Sequence, residues 1–104
     1  MLLMNFSSSD ITSGIYFIKM RFNELEGYVI REERVYDEFD CIWSCSRVYG
    51  CMSVNYADKS SADGFHECVL LKYKATRGIT EPWKPSHKFH FYHKDDSELI
   101  LNFI

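Results

Sequence analysis

FDCIWSCSRVYGCMSVNY, residues 39–56, together with the distant ECVL, residues 67–70, holds all four cysteines of this 104-residue chain. Cys41 and Cys45 stand four apart, Cys51 follows Gly50, and Cys68 opens a short apolar run. Asp37 can cap a helix whose first turn contains Glu38 and Asp40, acids placed where the helix dipole favours them. The pattern predicts a helix to about Val48, with Cys41, Ile42, Cys45, Val48 and Tyr49 on its apolar face. Gly50 supplies the stop. Residues 51–56 then alternate, with Met52, Val54 and Tyr56 on one face and Cys51, Ser53 and Asn55 on the other.

Four cysteines allow three pairings. A Cys41–Cys45 link would join consecutive turns of one helix and restrain almost nothing. Cys45–Cys51 ties the helix end to the next strand and leaves Cys41 to reach Cys68 on a remote strand, so this pairing ranks first. The longer link closes 26 intervening residues, which is worth roughly 3–4 kcal/mol by chain entropy. Zinc favours closely spaced pairs, and a redox dithiol favours C-x-x-C at a helix start; neither spacing is present. An intracellular zinc-binding or thiol-redox protein is the alternative that these cysteines leave on the table.

Outward from this segment, residues 15–22 alternate as a half-buried strand, with Tyr16, Ile18, Met20 and Phe22 on one face and Lys19 and Arg21 on the solvent side. Residues 24–27 form a turn. Residues 28–36 are a charged strand suited to a sheet edge. Residues 57–66 are a polar loop, 68–73 a strand, 74–86 an irregular crossing with Pro82 and Pro85 around Trp83, and 88–93 a last strand. The fold class is α+β: about five strands and one helix. The domain spans 15–94, between a lead-in at 1–14 and a tail at 95–104.

Composition fits a folded domain, with 46% hydrophobic and 16% aromatic residues. Charge is divided. Residues 24–40 carry seven acids against Arg31 and Arg34, a local −5, and residues 72–94 carry six bases against Glu81, a local +5. No stretch approaches the ~20 apolar residues of a membrane span, and no signal-peptide pattern stands at Met1. One glycosylation triplet, Asn5-Phe6-Ser7, lies in the lead-in. His87, His90 and His93 resemble a ligand cluster, yet on a strand His90 points away from the other two. Asp37, Glu38 and Asp40 are explained by the helix start. No P-loop, nucleophile elbow, zinc-protease or calcium-loop pattern is present.

Leu25-Glu-Gly27, the charged strand, Cys41-x3-Cys45-x5-Cys51-Met-Ser-Val-Asn-Tyr56, Cys68-Val-Leu70 and the closing Phe89-His-Phe-Tyr92 together resemble a PAN/Apple domain in its four-cysteine form, over about residues 15–93. The resemblance implies a curled antiparallel sheet cradling one helix, with two disulfides, Cys41–Cys68 and Cys45–Cys51. It implies an extracellular, secreted, non-catalytic recognition or adhesion module without a cofactor, carried within a larger multidomain protein. Its partners would be proteins or glycans, sulfated glycans included, and not nucleic acid. Within this chain two surfaces are candidates for the ligand. One is the basic, aromatic stretch Lys72, Lys74, Arg77, Trp83, Lys84 and Lys88, where an indole offers a stacking surface. The other is the polar loop 57–66, since binding resides in loops on rigid scaffolds.

Overall fold

A computed structural model describes residues 16–74 and 82–95. Asp37, in extended backbone, accepts the Asp40 amide at 2.9 Å, while the Asp40 carboxylate reaches back to the Tyr36 amide at 3.0 Å. One orphan donor of the first turn and the amide just before the cap are thereby satisfied, and helix α1 runs Glu38–Arg47 with Arg47 at its cation-favouring end. The Val48 amide bonds back to the Cys45 carbonyl, and Gly50 turns the chain at φ +86°. The helix therefore stops before Tyr49. That side chain, expected on the apolar face, is fully exposed.

Seven strands accompany the helix among the described residues: β1 Tyr16–Met20, β2 Asn23–Glu24, β3 Val29–Val35, β4 Ser53–Ala57, β5 His66–Leu71, β6 Lys84–Pro85 and β7 Phe89–Asp95. Five form one antiparallel sheet in the order β1-β7-β4-β5-β3, and β2 pairs with β6 in a separate ribbon. The charged β3 lies at a sheet edge, as its composition predicts. The expected lead-in at 1–14 lies outside the described residues, as does the tail apart from Asp95, which belongs to β7.

Cys41, Ile42 and Cys45 press the helix onto one face of the sheet, against Val35, Val54, Tyr56, Leu70 and Tyr92. Both links form as expected. Cys41–Cys68 spans 27 positions with Cα atoms 5.7 Å apart, and Cys45–Cys51 spans 6 with Cα atoms 5.3 Å apart. The first staples the helix to β5 and the second holds its end beside the start of β4.

The opposite face is also covered. Leu25, Ala57, Val69, Leu71, Phe89 and Phe91 form a second core, with Met20, Tyr73 and Trp83 packed against it. All five residues of β4 are consequently buried. Ser53 and Asn55, the polar side of the alternation, face this second layer and have specific tasks. Asn55 accepts the Leu25 amide at 3.1 Å and donates to the Leu25 carbonyl at 2.7 Å, and Ser53 donates to the Tyr73 carbonyl at 2.8 Å. A single side-chain amide thus satisfies both backbone groups of a loop residue, as a neighbouring strand would.

β1 corrects one expectation. Ile18 and Met20 do lie opposite Lys19, but Lys19 faces the helix layer and not solvent alone: its ammonium is 3.1 Å from Glu38 and 5.5 Å from the centre of the Tyr92 ring. At an edge strand beside a short helix, a long aliphatic stem carrying a charge fills the margin of the core and still reaches water. Phe22, which follows β1, adopts φ +50°. Its amide donates to His90 at 2.8 Å and its carbonyl accepts from Ser86 at 2.8 Å, contacts that hold this unusual backbone in place.

Candidate functional site

The basic stretch is continuous in sequence but divided by the sheet. Lys72 and Lys74 follow β5, beyond Leu71, which pairs with Ser53 at the start of β4. Lys88 precedes Phe89, which pairs with Ala57 at the other end of β4. About 13 Å of strand separates the two ends. Lys84 lies on the β2–β6 ribbon, 2.8 Å from Glu26, whose hydrogen bond and charge hold the ammonium pKa above its ordinary value. Trp83 packs on the second face, its ring centre 5.0 Å from Phe91 and 5.7 Å from His93, nearly parallel to the latter. Its largest task is therefore to cover the sheet. Arg77 lies outside the described residues.

Lys88 instead meets the polar loop. A groove of about 320 Å³ is lined by Ala57, Lys59, Ser60, Ser61, Glu67, His87 and Lys88. Loop geometry accounts for its walls. The Gly64 amide donates to the Ser61 carbonyl at 2.9 Å, the Ser61 amide to the Phe65 carbonyl at 2.8 Å, and the Phe65 amide to Asp63 at 3.0 Å. Gly64 takes φ +90°, which only glycine adopts without strain. Asp63 also pairs with Arg34 of the edge strand. Opposite, Ser86 caps the turn into β7 by accepting the Lys88 and Phe89 amides, each at 3.0 Å. Inside the groove the Lys88 ammonium is 2.8 Å from Glu67 and 4.9 Å from the Phe89 ring centre. Lys59 and His87 are exposed beside it.

Beneath this end the histidines separate as strand geometry demands. His90 is buried and used at both nitrogens: Nδ1 accepts the Phe22 amide, which leaves Nε2 to donate to Asp58 at 2.9 Å. That hydrogen bond holds the Asp58 carboxyl below its ordinary pKa. His66 stacks on Tyr56, and His93 stacks on Trp83. Among the described residues no three His, Cys, Asp or Glu side chains converge as metal ligands. All four cysteines are paired. No thiolate is available for zinc or dithiol exchange, and the intracellular alternative loses its chemistry.

On the helix side, Glu38 accepts from Tyr92 and Lys19. Burial pushes its carboxyl upward, but these hydrogen bonds more than offset it and the net shift is downward. Tyr56 is pushed up to about 12 by burial and by the neighbouring carboxylates, so its hydroxyl stays protonated. Glu33 behaves like Glu38: desolvation is outweighed by hydrogen bonds from Ser44 and Arg31, and its pKa is lowered. These groups form a structural margin around the helix.

Sequence reasoning set His87 aside as a strand histidine, reached Lys59 only as part of the polar loop 57–66, and gave Glu67 no role in a site. The turn signals Asp63-Gly64 and Ser86 were visible, but pairing of β4 with both β5 and β7 is what brings the two loops to one end. The family model for the PAN domain matches residues 14–96. No curated protein and no solved structure matches the chain. With that match over most of its length, two disulfides at the expected positions and one helix on a five-stranded antiparallel sheet, the chain belongs to the PAN domain family.

Proposed function

We propose that this chain is an extracellular, non-catalytic recognition module that binds an anionic ligand, first a sulfated glycan, at the loop end of its sheet. PAN domains as a family bind proteins or carbohydrates and are generally non-catalytic. The observation that carries the reading is the groove in which Lys59, His87 and Lys88 meet Ser60 and Ser61. Two ammonium groups give long-range attraction, and the Ser60 and Ser61 hydroxyls give directional donors. A sulfate entering there competes with Glu67 for Lys88. Lys72, Lys74 and Lys84, exposed but apart from this groove, are secondary contacts offered to the same ligand class, and Arg77 lies outside the described residues. Pairing of all four cysteines fits an oxidising compartment, and no helix among the described residues is long and apolar enough to cross a membrane. We place the chain in the secretory route as part of a larger protein.

Retention on immobilised heparin tests this. The double change Lys59→Ala, Lys88→Ala is expected to lower the eluting salt concentration markedly, and Lys72→Ala, Lys74→Ala, Lys84→Ala together to lower it less. Equal elution of all three proteins overturns the loop-end assignment. Failure of the unaltered protein to bind at low salt overturns the anionic ligand.

A further inference from the structure

Phe39, Trp43 and Arg47 recur every four residues along α1, opposite the buried, disulfide-bonded Cys41 and Cys45. In a helix this spacing makes one stripe. Phe39 and Trp43 are 46% and 56% exposed, and Tyr36, just before the helix, is 72% exposed. Two large aromatic side chains and an arginine thus line the outside of a ten-residue helix, while Tyr36 turns to the Phe65 ring, 5.1 Å away. Those residue types are the ones enriched at the centres of protein interfaces.

The stripe is polar along its length in one sense. Asp37 and Asp40 border its aromatic start, and Arg47 closes its far end, its guanidinium 5.7 Å from the Trp43 ring centre. The helix dipole orders the same two ends electrically, partially positive at the start and partially negative at the finish. A surface whose two halves carry opposite side-chain charge about a central aromatic is complementary to itself when turned by a half rotation. We infer that the outer face of α1 is a self-association surface that takes the same face of a second copy of this chain, helices antiparallel, with Trp43 at the two-fold axis.

That placement has a definite register. Centring the axis on Trp43 sets each Arg47 over Phe39 and beside Asp40 of the other copy, giving a cation–π contact and a charge pair twice over. The dipoles oppose each other favourably. A ten-residue helix is about 15 Å long, so the contact is small and belongs with weak, transient interfaces. It gains strength where copies are held side by side, as modules of a larger protein are.

Sedimentation equilibrium of the chain from about 10 μM to about 1 mM, the range of weak interfaces, is the test, with far-UV circular dichroism confirming the fold of every variant. The expected result is a monomer–dimer equilibrium that Trp43→Ala weakens at least tenfold. Arg47→Asp, which sets acid against acid, weakens it similarly. Adding Asp40→Lys to Arg47→Asp exchanges the two charges and returns association to within about threefold of the original. A monomer throughout the range overturns the inference, whether another part of the chain or a different protein covers the stripe. A dimer indifferent to Trp43→Ala overturns it too.

Discussion

The two layers that enclose the sheet are attached by different kinds of bond. On the helix side, Cys41–Cys68 and Cys45–Cys51 fix a ten-residue helix to β5 and to the start of β4. On the other side no covalent link exists among the described residues. There the β2–β6 ribbon and its neighbours depend on the Asn55 clasp around Leu25, the Ser53 bond to Tyr73 and the stacking of Trp83 on Phe91 and His93. A helix of this length is marginal by itself in water, and a cross-link acts by restricting the unfolded chain. A two-residue ribbon cannot gain in that way. It needs its few backbone groups satisfied in the folded state, and a buried amide does this locally. One layer is thus secured through the unfolded state and the other through the native one.

The largest break in this contrast comes from the long bridge. Cys41→Ala with Cys68→Ala is expected to cost about 3.5 kcal/mol by loop entropy, and Cys45→Ala with Cys51→Ala about 2 kcal/mol, because the second loop is far shorter. Denaturant midpoints of the two double variants measure the difference. Equal losses would mean that the bridges act mainly through native packing, as Asn55 does, and the contrast would fail.

Asn55→Ala sharpens the comparison from the other side. It leaves the Leu25 amide and carbonyl buried without partners, and the expected loss is about 2–3 kcal/mol. Trp83 fluorescence should shift to the red as the second layer loosens, while the helix signal in circular dichroism persists. Asn55→Asp keeps an acceptor for the amide but turns an acceptor toward the Leu25 carbonyl, and is expected to be no better tolerated. A loss of both signals together would show that the layers fold and fail as one.

This division also explains what the sequence disclosed. The helix-side layer was readable because every term in it is local or covalent: the Asp37 cap, the i, i+4 spacing of Cys41 and Cys45, and a geometric restriction on how four cysteines pair. The second layer was not. Alternation correctly put Ser53 and Asn55 on one face, but alternation never says what covers a face. Leu25 and Trp83 reach the sheet from irregular segments without periodicity. The loop-end groove suffered likewise, since Lys88 read as part of a continuous basic stretch until antiparallel pairing set it about 20 Å along the sheet from Lys72. The aromatic stripe was not read from the sequence at all, because its exposure depends on the helix being pinned by the opposite side.

The smallest expected effect separates the layers by acid. On the helix side Glu38 is held below its ordinary pKa: burial raises it, and the hydrogen bonds from Tyr92 and Lys19 outweigh the burial. A carboxyl depressed in the folded state takes up its proton more readily when unfolded. Its stabilising contribution is therefore complete above the unfolded value of about 4.3 and declines as pH falls through the lower folded value. Glu33, held down by Ser44 and Arg31 after its own desolvation, acts in the same sense. Glu38→Gln should remove part of this acid limb, under about 1 kcal/mol for a partly exposed group. Tyr92→Phe should remove a smaller part, since Lys19 remains. Asn55→Ala should leave the limb's shape unaltered, because the clasp contains no titrating group. Urea midpoints measured from pH 7 down to pH 3 decide this, and an acid limb that flattens with Asn55→Ala while surviving Glu38→Gln would place the proton-sensitive contacts in the wrong layer.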